Sequence, residues 1–261
     1  MSVSRYTTEL QKTTGALDEL REVFYLWEPG VERTTLTQRV IDSGALGRSS
    51  TTRAKDIVNR AFAQRFLVPD DRPARRIKTA LSVGIDQSSF RDLVFLYTLR
   101  AQTLVRDFLV ERYWPAVFSG HKEIMGDEIV AFLEDVAGTP RMPEPWSLSV
   151  MKRVARNLGK TLTDFGFFED RRSAIRKIRY WSVSNFLFAY MLIEAHEDGV
   201  SDTALLVLSE WGAAGLDRND VVDRCFRMSG SAAPFQFQYA GDIARFSWRV
   251  ETVEEYFNGS A

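Results

Sequence analysis

The chain has 261 residues, of which 45% are hydrophobic and 26% charged, with eight prolines and sixteen glycines. These values fit a folded soluble chain of one large or two ordinary domains and exclude a fibrous or largely disordered one. The formal net charge is -1, so no global signal for nucleic acid or membrane is present. The charge is unevenly spread: Gly47 to Leu81 carries nine Lys/Arg against three Asp/Glu, and Arg141 to Tyr180 carries ten against four. Two basic islands therefore sit in an acidic remainder. The single cysteine, Cys225, cannot form an internal disulfide. Met1 to Lys12 lacks the apolar stretch of a signal peptide, and the longest apolar run, Phe186 to Ile193, is too short to span a bilayer. A cytoplasmic protein without membrane contact is the expectation.

Leu17, Leu20, Val23, Phe24 and Trp27 follow helical spacing, and Pro29-Gly30 ends that segment. A second helix is expected from Thr34 or Thr35 to Ile41, then a turn over 43–47. A third starts in the Ser49-Ser50-Thr51-Thr52 cluster of N-cap formers, with Ala54, Ile57, Val58, Ala61 and Phe62 on its apolar face. A longer helix is predicted from Phe90 to Tyr113, closed by Pro115, and a shorter one over Gly126 to Val136. Three prolines between Pro140 and Pro145 disfavour helix, which suggests an N-terminal helical domain over 1–138 and a C-terminal one over 146–261.

The C-terminal region opens with a helix from Ser147 to Phe165. Leu148, Met151, Val154, Ala155, Leu158, Leu162 and Phe165 form one stripe, and Lys152, Arg153, Arg156, Asn157 and Lys160 the other, with Gly166 at the expected C-terminal cap. Ile175 to Val183 fits a short strand pair or an extended wing. Ser184 to Glu197 reads as a buried helix. Phe235 to Tyr239 alternates as a strand, turned by Gly241-Asp242 into Ile243 to Val250, and Val253 to Phe257 closes with a short helix. The fold class is thus mainly α, with a helix-turn-helix-like N-terminal bundle and a small β element in the C-terminal half.

Thr34 to Phe66 resembles a helix-turn-helix, whose second helix enters the major groove N-terminus first. There Arg48, Arg53, Lys55 and Arg60 supply charge, and Ser49 and Thr51 supply hydroxyls for phosphate oxygens. A helical hairpin with a solvated basic face explains the same pattern. On the second island Lys152, Arg156 and Lys160 form one ridge, joined by Arg153 and followed by Arg171, Arg172 and Arg176. That surface suits a DNA groove, an RNA, or an acidic protein. Gly159-Lys160-Thr161 looks like the end of a P-loop, but the required earlier glycine is Val154 and the triplet lies inside a helical pattern. His121 and His196 each stand alone, and no Cys pair exists, so no metal site, cofactor, small-molecule substrate or catalytic constellation is expected. Phe235, Phe237 and Tyr239 fit a core strand packed on the Phe186 to Ile193 helix better than a base-stacking surface.

Several separated pieces carry a resemblance. Tyr6-Thr7-Thr8 opens the chain. The Leu46 to Arg53 segment, Leu-Gly-Arg-Ser-Ser-Thr-Thr-Arg, precedes the helix ending at Arg65-Phe66-Leu67. Trp146-Ser147 leads the helix holding Arg153-Val154-Ala155-Arg156-Asn157-Leu158 and closing on Leu162 to Phe167. Ser247-Trp248 precedes a terminal helix with Val253-Glu254-Glu255. In this order the pieces resemble the BrxA family, small proteins of the BREX phage-defence systems. The resemblance implies a mainly helical, non-enzymatic, DNA-associated component that works beside other BREX proteins. Some family members are labelled inner-membrane proteins, which this sequence does not fit. The stretch from about Arg171 to Pro234 is longer than in compact members, and no family role carries over to it. The expected function is binding of double-stranded DNA through the basic helix faces. A protein-protein adaptor and an RNA binder are the alternatives.

Overall fold

The computed structural model of the chain describes residues 5–11, 14–47, 50–169, 174–230 and 233–259. It is mainly helical, with two two-stranded antiparallel sheets. The chain forms two compact units, Met1–Lys78 with Val94–Trp181, and Thr79–Leu93 with Ser182–Ala261. The proline-rich segment, expected as a boundary, lies inside the first unit. Proline prevents helix there without freeing the chain. The Tyr6 amide donates to the Arg141 carbonyl at 2.8 Å, the Gly138 amide donates to the Met142 carbonyl at 2.8 Å, and Met142 is buried.

In the first unit a 3-10 turn, Glu9–Gln11, precedes α1 (Leu17–Leu26) and α2 (Arg33–Ser43). Gly44 takes a positive φ of 62° at the end of α2, a conformation glycine adopts without steric cost. Ser50 then caps the next helix, accepting from the Arg53 amide at 3.2 Å. The helical run over 51–66 comprises α3 (Thr51–Asp56), a π-helical stretch (Ile57–Phe62) and α4 (Ala63–Phe66). It meets α1 through a ring cluster in which Phe24 lies 4.9 Å from Phe62 and 5.0 Å from Phe66, both edge-on. Such pairs add about 1 kcal/mol each beyond the area they bury.

Helix α5 (Arg72–Ser82) was not read from the sequence. Its buried residues are Ala74, Ile77 and Ala80, a sparse stripe among four cations. The single helix expected from Phe90 to Tyr113 is α6 (Gln87–Ala101) and α7 (Thr103–Phe108), separated by Gln102 at φ -127°, ψ 86°. A second π-helical stretch, Leu109–Tyr113, leads into α8 (Trp114–Phe118). Pro115 does not close the helix. It stands in the first turn of α8, where a missing N–H is tolerated.

Strand β1 (Glu123–Met125), α9 (Gly126–Asp135), α10 (Leu148–Asp164) and β2 (Ile175–Lys177) complete this unit. Ser147 caps α10, and Gly166 ends it at φ 91°. Strand β2 pairs antiparallel with β1, Ile124 opposite Arg176, so the expected wing is half of a ribbon whose other strand lies upstream of α10. Phe95, Phe165, Phe167 and Trp181 cluster here, Phe167 and Trp181 stacking at 4.7 Å.

The second unit is built on α11 (Asn185–Glu197), capped by Ser184 and buried continuously from Leu187 to Ala195. A helix apolar on all sides is a core helix. After α12 (Asp202–Leu205), α13 (Ser209–Ala213) and α14 (Arg218–Met228) comes the expected hairpin, β3 (Phe235–Ala240) and β4 (Ile243–Trp248), with Phe237 opposite Phe246, then α15 (Val253–Gly259). Phe235 and Phe237 are buried. The ring on Phe237 from a neighbouring helix is Phe226 of α14 at 5.0 Å, while α11 reaches the hairpin through His196, stacked on Trp248 at 4.3 Å. Among the described residues no helix is long and apolar enough to cross a membrane.

Candidate nucleic-acid interface

The two basic islands belong to the same unit, and the N-terminal segment 9–15 touches both helices that carry them. Asn157 of α10 donates from Nδ2 to the Leu10 carbonyl at 2.7 Å, and the Gly15 amide donates to Asp164 Oδ2 at 3.1 Å. From the other side Arg65 donates from Nη2 to the Thr14 carbonyl at 2.8 Å and from Nη1 to the Gly15 carbonyl at 3.3 Å. Burial lowers the Arg65 guanidinium to about 10, opposed by the charges of Glu9 and Asp164. Burial raises Glu9 above the usual carboxylate range, offset by Arg60 and Arg65.

On the first island, Arg53 donates to Glu19 at 2.7 Å and is about two-thirds covered, and Arg60 pairs with Asp56 at 3.1 Å. Thr51 and Lys55 are exposed. Arg48 and Ser49 lie outside the described residues. Much of the charge expected to face DNA here is thus already neutralised by the protein's own carboxylates.

On α10, Lys152, Arg153 and Arg156 are exposed and Lys160 is half-buried. Among the described residues none of the four has a carboxylate within ion-pair distance. At 1.5 Å of rise per residue, Lys152, Arg156 and Lys160 stand about 6 Å apart along one ridge. Ser147 and the buried stripe of Met151, Val154, Leu158 and Leu162 hold that ridge outward.

Arg176 is a correction. It is 5% exposed and lies against α10, where a Cβ on Gly159 would come within 2.9 Å of its Nε. Strand alternation turns Arg176 inward between the exposed Ile175 and Lys177. Arg171 and Arg172 lie outside the described residues. The sequence reading passed over Arg65, whose only signal was its place on the apolar side of the 51–66 run. Gly159, in the triplet that mimics a P-loop, is the contact surface for Arg176.

Cys225 is buried, and burial pushes its thiol up to about 12. Among the described residues no group of three or more His, Cys, Asp or Glu could hold a metal ion. The architecture defined so far is a mainly helical protein with two small antiparallel sheets and a cationic ridge on one long helix. The chain belongs to the BrxA family, whose model matches residues 4–190, and it is thus a BREX-associated protein of phage defence. A crystal structure of an uncharacterized protein from Magnetospirillum magneticum is similar in fold, with a TM-score of 0.55 at 18% identity, over 72% of this chain and 92% of that one. Comparison with curated proteins gave no match.

Proposed function

We propose that the protein is a non-catalytic DNA-binding component of a BREX phage-resistance system, and that α10 supplies the main phosphate contacts. The observation that carries this reading is the ridge of Lys152, Arg153, Arg156 and Lys160, left without carboxylate partners among the described residues. An exposed cation already paired within the protein gains less from a phosphate, because binding must first break that pair. Unpaired cations release condensed counterions from the duplex at no such cost. Thr51 and Lys55 at the start of α3 are a secondary contact, and the capping hydroxyl of Ser50 is already engaged by the Arg53 amide. Phosphate contacts of this kind need no base readout.

The test is a fluorescence-anisotropy titration of a blunt duplex at several salt concentrations. Four phosphate contacts give a slope of log K against log salt of about -3.6. Replacing Lys152, Arg156 and Lys160 by alanine reduces that slope by about 2.7. Absence of binding at low salt assigns the protein to the adaptor role, in contact with other BREX proteins. Stronger competition by structured RNA than by duplex DNA assigns it to RNA.

A further inference from the structure

The first unit carries an aromatic feature outside the α10 ridge. Phe118, at the end of α8, is 72% exposed, although its ring stacks on Trp114 at 5.7 Å and 25°. Trp114 is 6% exposed and lies 6.4 Å from Trp181. One face of the Phe118 ring is thus fixed by a buried aromatic foundation, and the ring as a whole remains open to solvent. Tyr180, the neighbour of Trp181, is 83% exposed. Two residues before it Ile178 donates its amide to the Lys122 carbonyl at 2.8 Å, and the Tyr113 hydroxyl donates to the carbonyl of the adjoining Arg179 at 2.7 Å. Lys122, Lys177 and Arg179 are exposed on the chain next to Tyr180, with Glu123 opposite Lys177 in the β1–β2 register. Strand β2 packs on α10 through Arg176, whose guanidinium lies on Gly159.

We propose that Phe118 and Tyr180 form a stacking platform for unpaired bases of a DNA strand, with Lys122, Lys177 and Arg179 taking its phosphates. Phe118, held in water on a buried aromatic base, and the exposed Tyr180 carry an apolar cost that a nucleobase would relieve. The surrounding cations favour a polyanionic occupant over an apolar peptide. This deepens the duplex reading, since it gives the protein a way to engage DNA where its strands part.

The experiment measures the full chain against fluorescein-labelled oligothymidine and, separately, a blunt duplex. Phe118→Ala and Tyr180→Ala are each expected to weaken oligothymidine binding about tenfold, with duplex affinity unchanged. Phe118→Trp is expected to retain binding, and circular dichroism checks that each variant is folded. The proposal is overturned if both alanine variants bind oligothymidine as the parent does, or if the parent does not bind it at low salt. Preference for oligouridine also overturns it, as does a dimer that Phe118→Ala dissolves in light scattering, which would give the face to a second copy of the chain. Sensitivity of the oligothymidine signal to Phe118→Ala without any duplex binding sustains the platform and removes only the α10 reading.

Discussion

Arg176 lies so close over Gly159 that a single methyl group on that glycine would fall 2.9 Å from its Nε and 3.1 Å from its Cζ. In an ordinary helix interior, exchanging glycine for alanine stabilises by about 1 kcal/mol. At this position the added carbon meets a guanidinium that is itself enclosed, and overpacking of that kind costs about 1–3 kcal/mol. Gly159→Ala is therefore expected to lower the urea midpoint of unfolding. An unchanged or raised midpoint would show that Arg176 can move aside.

Arg65 is expected to be among the most sensitive positions. Its guanidinium, fully enclosed, holds the carbonyls of Thr14 and Gly15. Arg65→Met removes both bonds from the two carbonyls, at a cost of about 1–3 kcal/mol. Arg65→Lys retains the charge but not the fork and recovers only part of this. Equilibrium urea unfolding of the two variants reads the difference.

The cations of the two helices are expected to differ in their effect on DNA. Replacing Arg53 and Lys55 by alanine changes duplex affinity less than replacing Lys152, Arg156 and Lys160, because Arg53 is held by Glu19. Arg53→Ala should instead cost a few tenths of a kcal/mol of stability, typical of a partly exposed pair. Equal losses of affinity from the two sets would contradict this ordering.

Asp92 provides a pH signature. It is buried, accepts from the Ser184 hydroxyl at 2.5 Å, and desolvation holds its carboxyl above the usual 3.8. Below 3.8 both folded and unfolded chains hold the proton, so the group has no effect on stability. As pH rises from 3.8 towards the raised folded-state value, the unfolded chain ionises while the enclosed carboxyl holds its proton, so stability falls, and it levels off once the native group ionises as well. Asp92→Asn lacks this step, so its melting temperature should exceed the parent's at neutral pH and converge with it in acid. A constant difference across that range would mean that ionisation is not the cause.

Cys225 should resist a thiol reagent. With no solvent contact and a thiol pushed up to about 12, it holds almost no thiolate at pH 8. Ellman's reagent should react within minutes in denaturant and on the unfolding timescale in buffer. Rapid reaction of the native protein would mean that α14 opens locally.

The long elements were legible because their periodicity was strong. The stripe of α10, the continuous apolar run of α11 and the alternation of β3 each announce one structure. Helix α5 escaped because Ala74 and Ala80 leave a faint stripe among arginines, and α12 and α13 are too short to show a period. The break at Gln102 carries no proline or glycine to mark it. At the candidate site, sequence located both cationic helices but could not tell a paired cation from an unpaired one. Arg53, Arg60 and Lys152 look alike in a string of letters. Only the distance to Glu19 or Asp56 separates them.

The π-helical stretch at Ile57–Phe62 amounts to one extra residue wound into the 51–66 run. Deleting a residue there and rewinding the turn to ordinary pitch would leave everything downstream at nearly its present angle, because the wide turn rotates less per residue and so offsets the roughly 100° of the extra one. Phe66 would keep its place beside Phe24, and Arg65 its hold on Thr14. A residue removed from the regular turns on either side would rotate both side chains out of place, so the wide turn is the position at which the 51–66 run can be shortened.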